Sequence, residues 1–185
     1  MSDATIIQDY TRQLGAKALG VDVASLEKAV NALRDVCRRR GRIFTMGNGG
    51  SAAVADHFAA DFEKNSCPAG PRPRTMSLSS QAAKILAYGN DVAFDGVFAE
   101  QLRGHGEKGD VAIMVSSSGN SPNIVKAVEM ARSLGMTVIG LSGFSGGKLR
   151  EMSDISIHFE CPAYELAEDL HGMVCHLFVL CMRGA

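Results

Sequence analysis

The chain has 185 residues, of which 46% are hydrophobic and 21% charged, and its formal net charge is −1. This composition indicates one globular domain, excludes a disordered or fibrous chain, and gives no electrostatic footprint for nucleic acid. Its five cysteines form no Cys-x-x-Cys pair, and no segment has the composition of a signal peptide or a membrane span, so we expect a cytoplasmic protein with reduced thiols and no membrane partner.

Two helices are predicted before the first strand. Apolar residues at helical spacing, such as Leu26, Val30 and Leu33, predict a helix over about 24–40, which follows another over about 3–17. No strand accompanies these helices. We therefore expect them to form a helical extension that packs against another helix, a second subunit being one source of such a helix.

A strand, a glycine-rich turn and a helix come next. Residues 42–46 are β-prone, residues 47–51 read GNGGS, and the alanine-rich stretch 52–62 favours a helix. Glycines allow a ligand to approach the backbone closely. The turn does not match G-x-G-x-x-G, so taken alone it is as consistent with an ordinary tight turn as with a binding site.

The same order of elements recurs along the rest of the chain. Further strands are predicted at 75–78, 111–115, 137–141 and 155–159, and further helices at 122–134 and 163–182. Strands that alternate with helices predict an α/β fold with three layers and a doubly wound, mostly parallel sheet. We expect one domain over residues 1–185, with a helical extension at 1–40 and an α/β core at 41–185.

A serine-rich loop at 116–122, with the sequence SSSGNSP, joins one of these strands to its helix. Ser121 is a favoured N-cap residue and Pro122 suits the first helical position, so free N–H groups and the positive end of the helix dipole point to the loop. Hydroxyl groups of Ser116, Ser118 and Ser121 add donors there. The loop is predicted to bind a phosphate without a lysine, the alternative being an ordinary serine-rich turn.

Two helices carry residues suited to catalysis or metal binding. His57 and Asp61 lie four residues apart, so they share a helix face, although such a pair is also common on a protein surface. Glu168, His171 and His176 lie on the last helix. His171 and His176 differ by about 140° around the helix axis, so we expect only one of them in a site, and spacing alone does not choose between them.

Together these motifs resemble the phosphoheptose isomerase branch of the sugar isomerase (SIS) family. The resemblance runs from about residue 41 to residue 182 and rests on GNGGS with the following ADHFA, on YGND, on SSSGNSPN and on the late H-x4-H helix. It implies an aldose–ketose isomerase that converts sedoheptulose 7-phosphate to glycero-manno-heptose 7-phosphate through an enediol. It also implies a homotetramer with active sites at subunit interfaces.

The resemblance further implies which residues form the site. Substrate and phosphate would be bound by Asn48, Gly49, Gly50, Ser51, Asp91, Ser116, Ser117, Ser118, Ser121 and Glu165. A divalent metal, with zinc as the expected ion, would be held by His57, Asp61, Glu168 and His176. Asp61 is expected to act as the base and His176 as its acid–base partner, with Glu168 as the substitute base.

Two positions depart from the family pattern. Asp61 stands where the family has glutamate, and Glu168 where it has glutamine. Because aspartate is one methylene shorter, a base at Asp61 would be withdrawn by about 1.5 Å. The departures leave three alternatives open: an isomerase of another sugar phosphate, a SIS protein of the replication-initiator-associating type, or a sugar-phosphate sensor. The complete SSSGNS loop and both histidines favour an enzyme.

Overall fold

A computed structural model describes residues 1–67 and 71–184, so residues 68–70 and 185 of the predicted core lie outside the described part. Five strands are present in that part: β1 Arg42–Met46, β2 Arg74–Ser77, β3 Val111–Ser116, β4 Thr137–Ser142 and β5 Ile155–His158. They form one parallel sheet in the order β2-β1-β3-β4-β5. The predicted doubly wound α/β fold is confirmed.

Eight α-helices surround this sheet in the described residues. They are α1 Asp3–Leu19, α2 Val23–Arg38, α3 Gly50–Asn65, α4 Ala82–Asp91, α5 Val97–His105, α6 Pro122–Ser133, α7 Gly147–Met152 and α8 Tyr164–Arg183. The patterns in the sequence predicted α1, α2, α3, α6 and α8, but not α4, α5 and α7. These three are the shortest, with 10, 9 and 6 residues. Among the described residues, no helix is both long and apolar enough to span a membrane.

Alternate residues of the buried strands point to opposite faces of the sheet. Ile43 and Ile113 pack into a core that includes residues of α2, α3 and α8. Phe44 and Met114 pack into a second core with residues of α5 and α6. This two-residue alternation between two apolar layers is what makes the strands continuous hydrophobic runs.

The two N-terminal helices differ in their burial. α2 places Leu26, Val30 and Leu33 in the core, so it belongs to the α/β layers and not to an extension. α1 has no buried residue and lies against α8, where the Tyr10 hydroxyl donates a hydrogen bond to Asp169 at 2.5 Å. The part that lies outside the core layers is therefore α1 alone.

Candidate active site

Two loops meet at the carboxyl edge of the sheet. β1 and β3 are neighbours, with Met46 opposite Met114, and the chain leaves them in opposite directions along the sheet. Parallel sheets bind ligands in the crevice that such a reversal of strand order creates. The glycine loop after β1 and the serine loop after β3 open into this crevice, where Asn48 and Ser51 of the first line the same pocket as the serines of the second.

A reciprocal pair of amides joins the two loops. Asn48 donates from Nδ2 to Asn123 Oδ1 at 2.8 Å, and Asn123 donates from Nδ2 to Asn48 Oδ1 at 2.9 Å. Asn123 is 2% exposed, so this pair is a fixed part of the site. Asn123 was not among the predicted site residues. Its position just inside α6 was visible, but its partner 75 residues earlier was not.

The serine loop forms a small polar pocket of about 130 Å³. The pocket is lined by Asn48, Ser51, Val115, Ser116, Ser117, Ser118, Ser121, Tyr164 and Glu168. Ser121 occupies the N-cap position of α6, but its hydroxyl makes no capping hydrogen bond and instead lies 3.4 Å from the hydroxyl of Ser116. The hydroxyl expected to cap the helix is therefore available to a ligand.

The backbone of this loop requires glycine at position 119. Gly119 has a φ of +67°, and a Cβ there would overlap the carbonyl oxygen of Gly146. Its N–H donates to Ser116 Oγ at 3.2 Å, which orients that hydroxyl at the pocket wall. Ser117 also lines the pocket, and its Oγ is buried without a hydrogen-bond partner among the described residues.

A cluster of two histidines and one aspartate lies where α3 packs on α8. His57 Nε2 is 2.9 Å from His176 Nε2, and Asp61 Oδ2 lies 3.7 Å from the former and 4.0 Å from the latter. The side chains of His57 and His176 are 50% and 58% exposed in the single chain. The two helices therefore bring together three residues that the sequence analysis expected to share a metal.

The three donor atoms fit a divalent cation. All lie within 4.8 Å of one another. Two ligand atoms of a tetrahedral ion with bonds of about 2.0–2.1 Å are separated by about 3.3 Å. This value lies between the shortest separation of the donor atoms in the cluster, 2.9 Å, and the longest, 4.0 Å. Two imidazole nitrogens and a carboxylate oxygen are also the donor types that zinc prefers. Without an ion, one imidazole N–H would donate to the other ring.

Glu168 is not part of this cluster but lies beside it. Its carboxyl group covers the Cα of Gly50, where any side chain would collide with it. Glu168 lines both the serine pocket and a larger groove of about 770 Å³ that includes His57 and His176. It therefore stands at the junction of the two, and its role as a fourth metal ligand stays a prediction.

His171 lies on the opposite side of α8. Its side chain is fully buried among core residues, and neither ring nitrogen has a hydrogen-bond partner in the described part of the chain. Burial lowers the pKa of His171 to about 4. A backbone group of Ser142 offsets part of this lowering of the pKa, although neither ring nitrogen forms a hydrogen bond with it. The structure thus brings His176, and not His171, to the cluster.

The other predicted site residues are placed differently. Asp91 and Glu165 are exposed and line neither the serine pocket nor the groove within one chain, so their contact with substrate stays a prediction. Tyr164, which the sequence analysis did not select, lies at the serine pocket with its ring centre 4.9 Å from that of Phe144. Phe144 holds this position with a φ of +46°, an uncommon conformation for a residue with a side chain.

Known proteins are similar to the chain over most of its length. A family model described as SIS domain matches residues 9–143. A phosphoheptose isomerase from Rhodospirillum rubrum is 39% identical over 162 residues, which are 88% of this chain and 80% of that protein. The structure of a phosphoheptose isomerase from Neisseria gonorrhoeae superposes with a TM-score of 0.90 at 30% identity, covering 98% of this chain and 97% of the other. That of a phosphoheptose isomerase from Francisella tularensis gives a TM-score of 0.93 at 27% identity, covering 100% of both chains.

Proposed function

The chain belongs to the SIS domain family, and because its relatives there include phosphoheptose isomerases we propose that it converts sedoheptulose 7-phosphate to glycero-manno-heptose 7-phosphate. The resemblance predicted from the motifs is confirmed by these relatives. One observation carries the proposal. Glu168 lines both a pocket of phosphate size, which serine hydroxyl groups surround, and a groove that contains His57 and His176. The imidazoles of these two histidines lie close to the carboxylate of Asp61.

The phosphate of the substrate is proposed to occupy the serine pocket. Hydroxyl groups of Ser116, Ser118 and Ser121 and the N-terminal end of α6 supply neutral donors and a positive dipole there. The remaining carbons of the sugar then extend past Glu168 toward His57 and His176. A substrate with phosphate at one end and its carbonyl at the other suits this arrangement.

The isomerisation moves one proton between neighbouring carbons. The carboxylate of Asp61 is proposed to take the proton from C1 of the ketose and return it to C2, which produces the aldose. His176 transfers a proton between the two oxygens of the enediol. Glu168, which borders both cavities, is the candidate for a second carboxylate close to the reacting carbons.

A divalent metal fits the donor set of His57, Asp61 and His176, and we propose zinc as the ion. When bound, it would polarise the substrate oxygens and stabilise the negative charge that develops on them. His57 would serve as a ligand only. In that state Nε2 of both histidines would be bound to the ion, so His176 would exchange protons with the substrate oxygens through Nδ1 only. The alignment of both side chains depends on the packing of α3 against α8.

Isomerisation through an enediol can be tested by solvent exchange. The purified protein, with and without added zinc, is incubated with sedoheptulose 7-phosphate in deuterium oxide. We expect formation of the aldose with deuterium at the carbon that accepts the proton, detected by mass spectrometry and NMR. Glucose 6-phosphate is incubated in the same way as a control substrate. Exchange into this sugar and not into sedoheptulose 7-phosphate would favour the alternative of an isomerase of another sugar phosphate. Binding of sedoheptulose 7-phosphate in calorimetry without any exchange would contradict the proposal and favour a sensor.

The exposed apolar side chains of α1 support assembly into a homo-oligomer, and we propose a tetramer. Ile6, Ile7 and Leu19 are 52%, 63% and 90% exposed in the single chain. An apolar groove of about 620 Å³ between α2 and α8, lined in part by Leu26 and Leu177, offers a second contact surface. Burial of these groups in a bundle between subunits would remove them from water.

Sedimentation tests this assembly. We expect about four times the 19.6 kDa of one chain at micromolar concentration. Replacing Ile7 by glutamate should dissociate the oligomer because it places a charge in the apolar contact, whereas Gln13→Glu on an exposed position of the same helix should not. A monomeric wild-type protein would contradict the proposal.

A cytoplasmic location is also proposed. All five cysteines are free in the structure, and two of them, Cys161 and Cys175, are buried. Free thiols persist where the compartment is reducing. Sugar phosphates are substrates that such a compartment supplies.

A further inference from the structure

The carboxylate of Asp61 is held by two different kinds of contact. Oδ1 accepts a hydrogen bond of 3.0 Å from Nδ2 of Asn65, which lies one helical turn later. Oδ2 is the atom that faces the two imidazoles, at 3.7 Å and 4.0 Å. The contact with Asn65 therefore occupies one carboxylate oxygen and leaves the other facing the cluster.

This orientation does not follow from the aspartate itself. The terminal torsion of an aspartate is broad, so the plane of a free carboxylate is poorly defined. At 3.7 Å or more, neither histidine makes a direct hydrogen bond that would define it instead. Asn65 is the described residue whose side chain donates to Asp61.

Asn65 is in turn fixed to the helix that carries His176. It is the last residue of α3, and its backbone carbonyl accepts a hydrogen bond of 2.7 Å from Nε of Arg183 near the end of α8. This bond uses the backbone and leaves the amide of the side chain free to serve Asp61. The end of α3, Asp61 and the histidine-bearing helix are thereby connected.

The chemistry of an amide suits this role. Asn65 donates to the carboxylate without adding a positive charge that would compete with a cation in the cluster. It also leaves the negative charge of Asp61 intact. This chain has the shorter aspartate where the family has glutamate, and the donor at Asn65 gives its carboxylate a defined direction toward the cluster.

We infer that Asn65 is a positioning residue, which holds Oδ1 of Asp61 so that Oδ2 is directed at the point between His57 and His176 where a divalent cation would be bound. The inference rests on the proposed function. Outer contacts of this kind change metal affinity or activity by about 10- to 100-fold when removed. It follows that Asn65 acts through Asp61 and does not itself touch substrate.

Binding of Co²⁺ to the full-length protein tests the inference, because its visible absorption reports the ligands directly. We expect Asn65→Ala and Asn65→Leu, which differ in volume but both lack the donor, to weaken Co²⁺ binding about tenfold and to change the spectrum. Lys64→Ala, also in the last turn of α3 and exposed, is the control and should change neither. In an Asp61→Ala background, Asn65→Leu should have no further effect on Co²⁺ affinity.

Kinetics of the same variants provide a second readout. Asn65→Leu should lower kcat and leave KM for the sugar phosphate unchanged, since the phosphate is held in the serine pocket. Unchanged Co²⁺ affinity and spectrum in both Asn65 variants would overturn the inference while the isomerase proposal stands. So would an effect of Asn65→Leu that persists without Asp61. If the wild-type protein binds no Co²⁺, the metal part of the proposed function fails, and an unchanged kcat in Asn65→Leu then overturns the inference.

Discussion

Replacing Asp61 by asparagine is expected to lower kcat for the isomerisation by roughly 10²- to 10⁴-fold, the range for loss of a positioned acid–base group. The amide keeps the size of the carboxylate and can still accept the hydrogen bond from Asn65. It cannot take a proton from carbon at neutral pH. The measurement is the steady-state rate of aldose formation, and KM should change little because the phosphate pocket is untouched.

Substitutions at the two departures from the family pattern identify the base. Asp61→Glu and Glu168→Gln each introduce the residue that the family has, and both should retain activity if Asp61 is the base. If Glu168 is the base instead, Glu168→Gln should lose activity to the extent expected for Asp61→Asn. Full activity of Asp61→Asn would contradict the assigned role, whatever the outcome at Glu168.

The layered fold could be predicted because the signals are local. Continuous apolar runs such as residues 111–115 are typical of strands buried on both faces, and SSSGNSP combines a helix-starting pair with a buried strand before it. Parallel strands separated by helices then leave few topologies. The helices α4, α5 and α7 were missed because they have only 10, 9 and 6 residues. So few residues show too little periodicity of apolar side chains to distinguish a helix from a loop.

The site could be predicted only in part. Helical spacing placed His57 and Asp61 on one face, and His176 was chosen by family resemblance, since the sequence does not show which face of α8 meets α3. Two pairs were not foreseen, Asn48 with Asn123 and Asn65 with Asp61. The first joins distant segments. Asn65 and Asp61 have a helical spacing that many surface pairs share. Their importance follows only from the structure, where the carboxylate of Asp61 is directed at the two histidines.

The second large effect concerns the stability of the protein at acidic pH and arises from His171. Burial lowers the pKa of His171 to about 4 from its ordinary value of 6.5. The unfolded chain therefore binds a proton more readily than the folded one as the pH falls below about 6.5. The contribution to stability is complete above that pH and is lost progressively as the pH falls toward about 4. We expect about 2 kcal/mol of unfolding free energy to be lost between pH 7 and pH 5 from this group alone.

Urea unfolding of His171→Leu at both pH values measures this contribution. Leucine has a similar volume and removes an imidazole that has no hydrogen-bond partner among the described residues, so the variant should be about as stable as wild type at pH 7. Between pH 7 and pH 5, its free energy of unfolding should fall by about 2 kcal/mol less than that of wild type. His158 is the neighbouring titratable group, and its pKa is also lowered by burial. His158→Gln is therefore the comparison, and it should reduce the acid sensitivity by a smaller amount because this side chain is only half-buried. An unaltered pH dependence in His171→Leu would mean that the pKa of His171 is not lowered in the folded protein, because the charged imidazole donates to a hydrogen-bond acceptor such as a water molecule bound between His171 and Ser142.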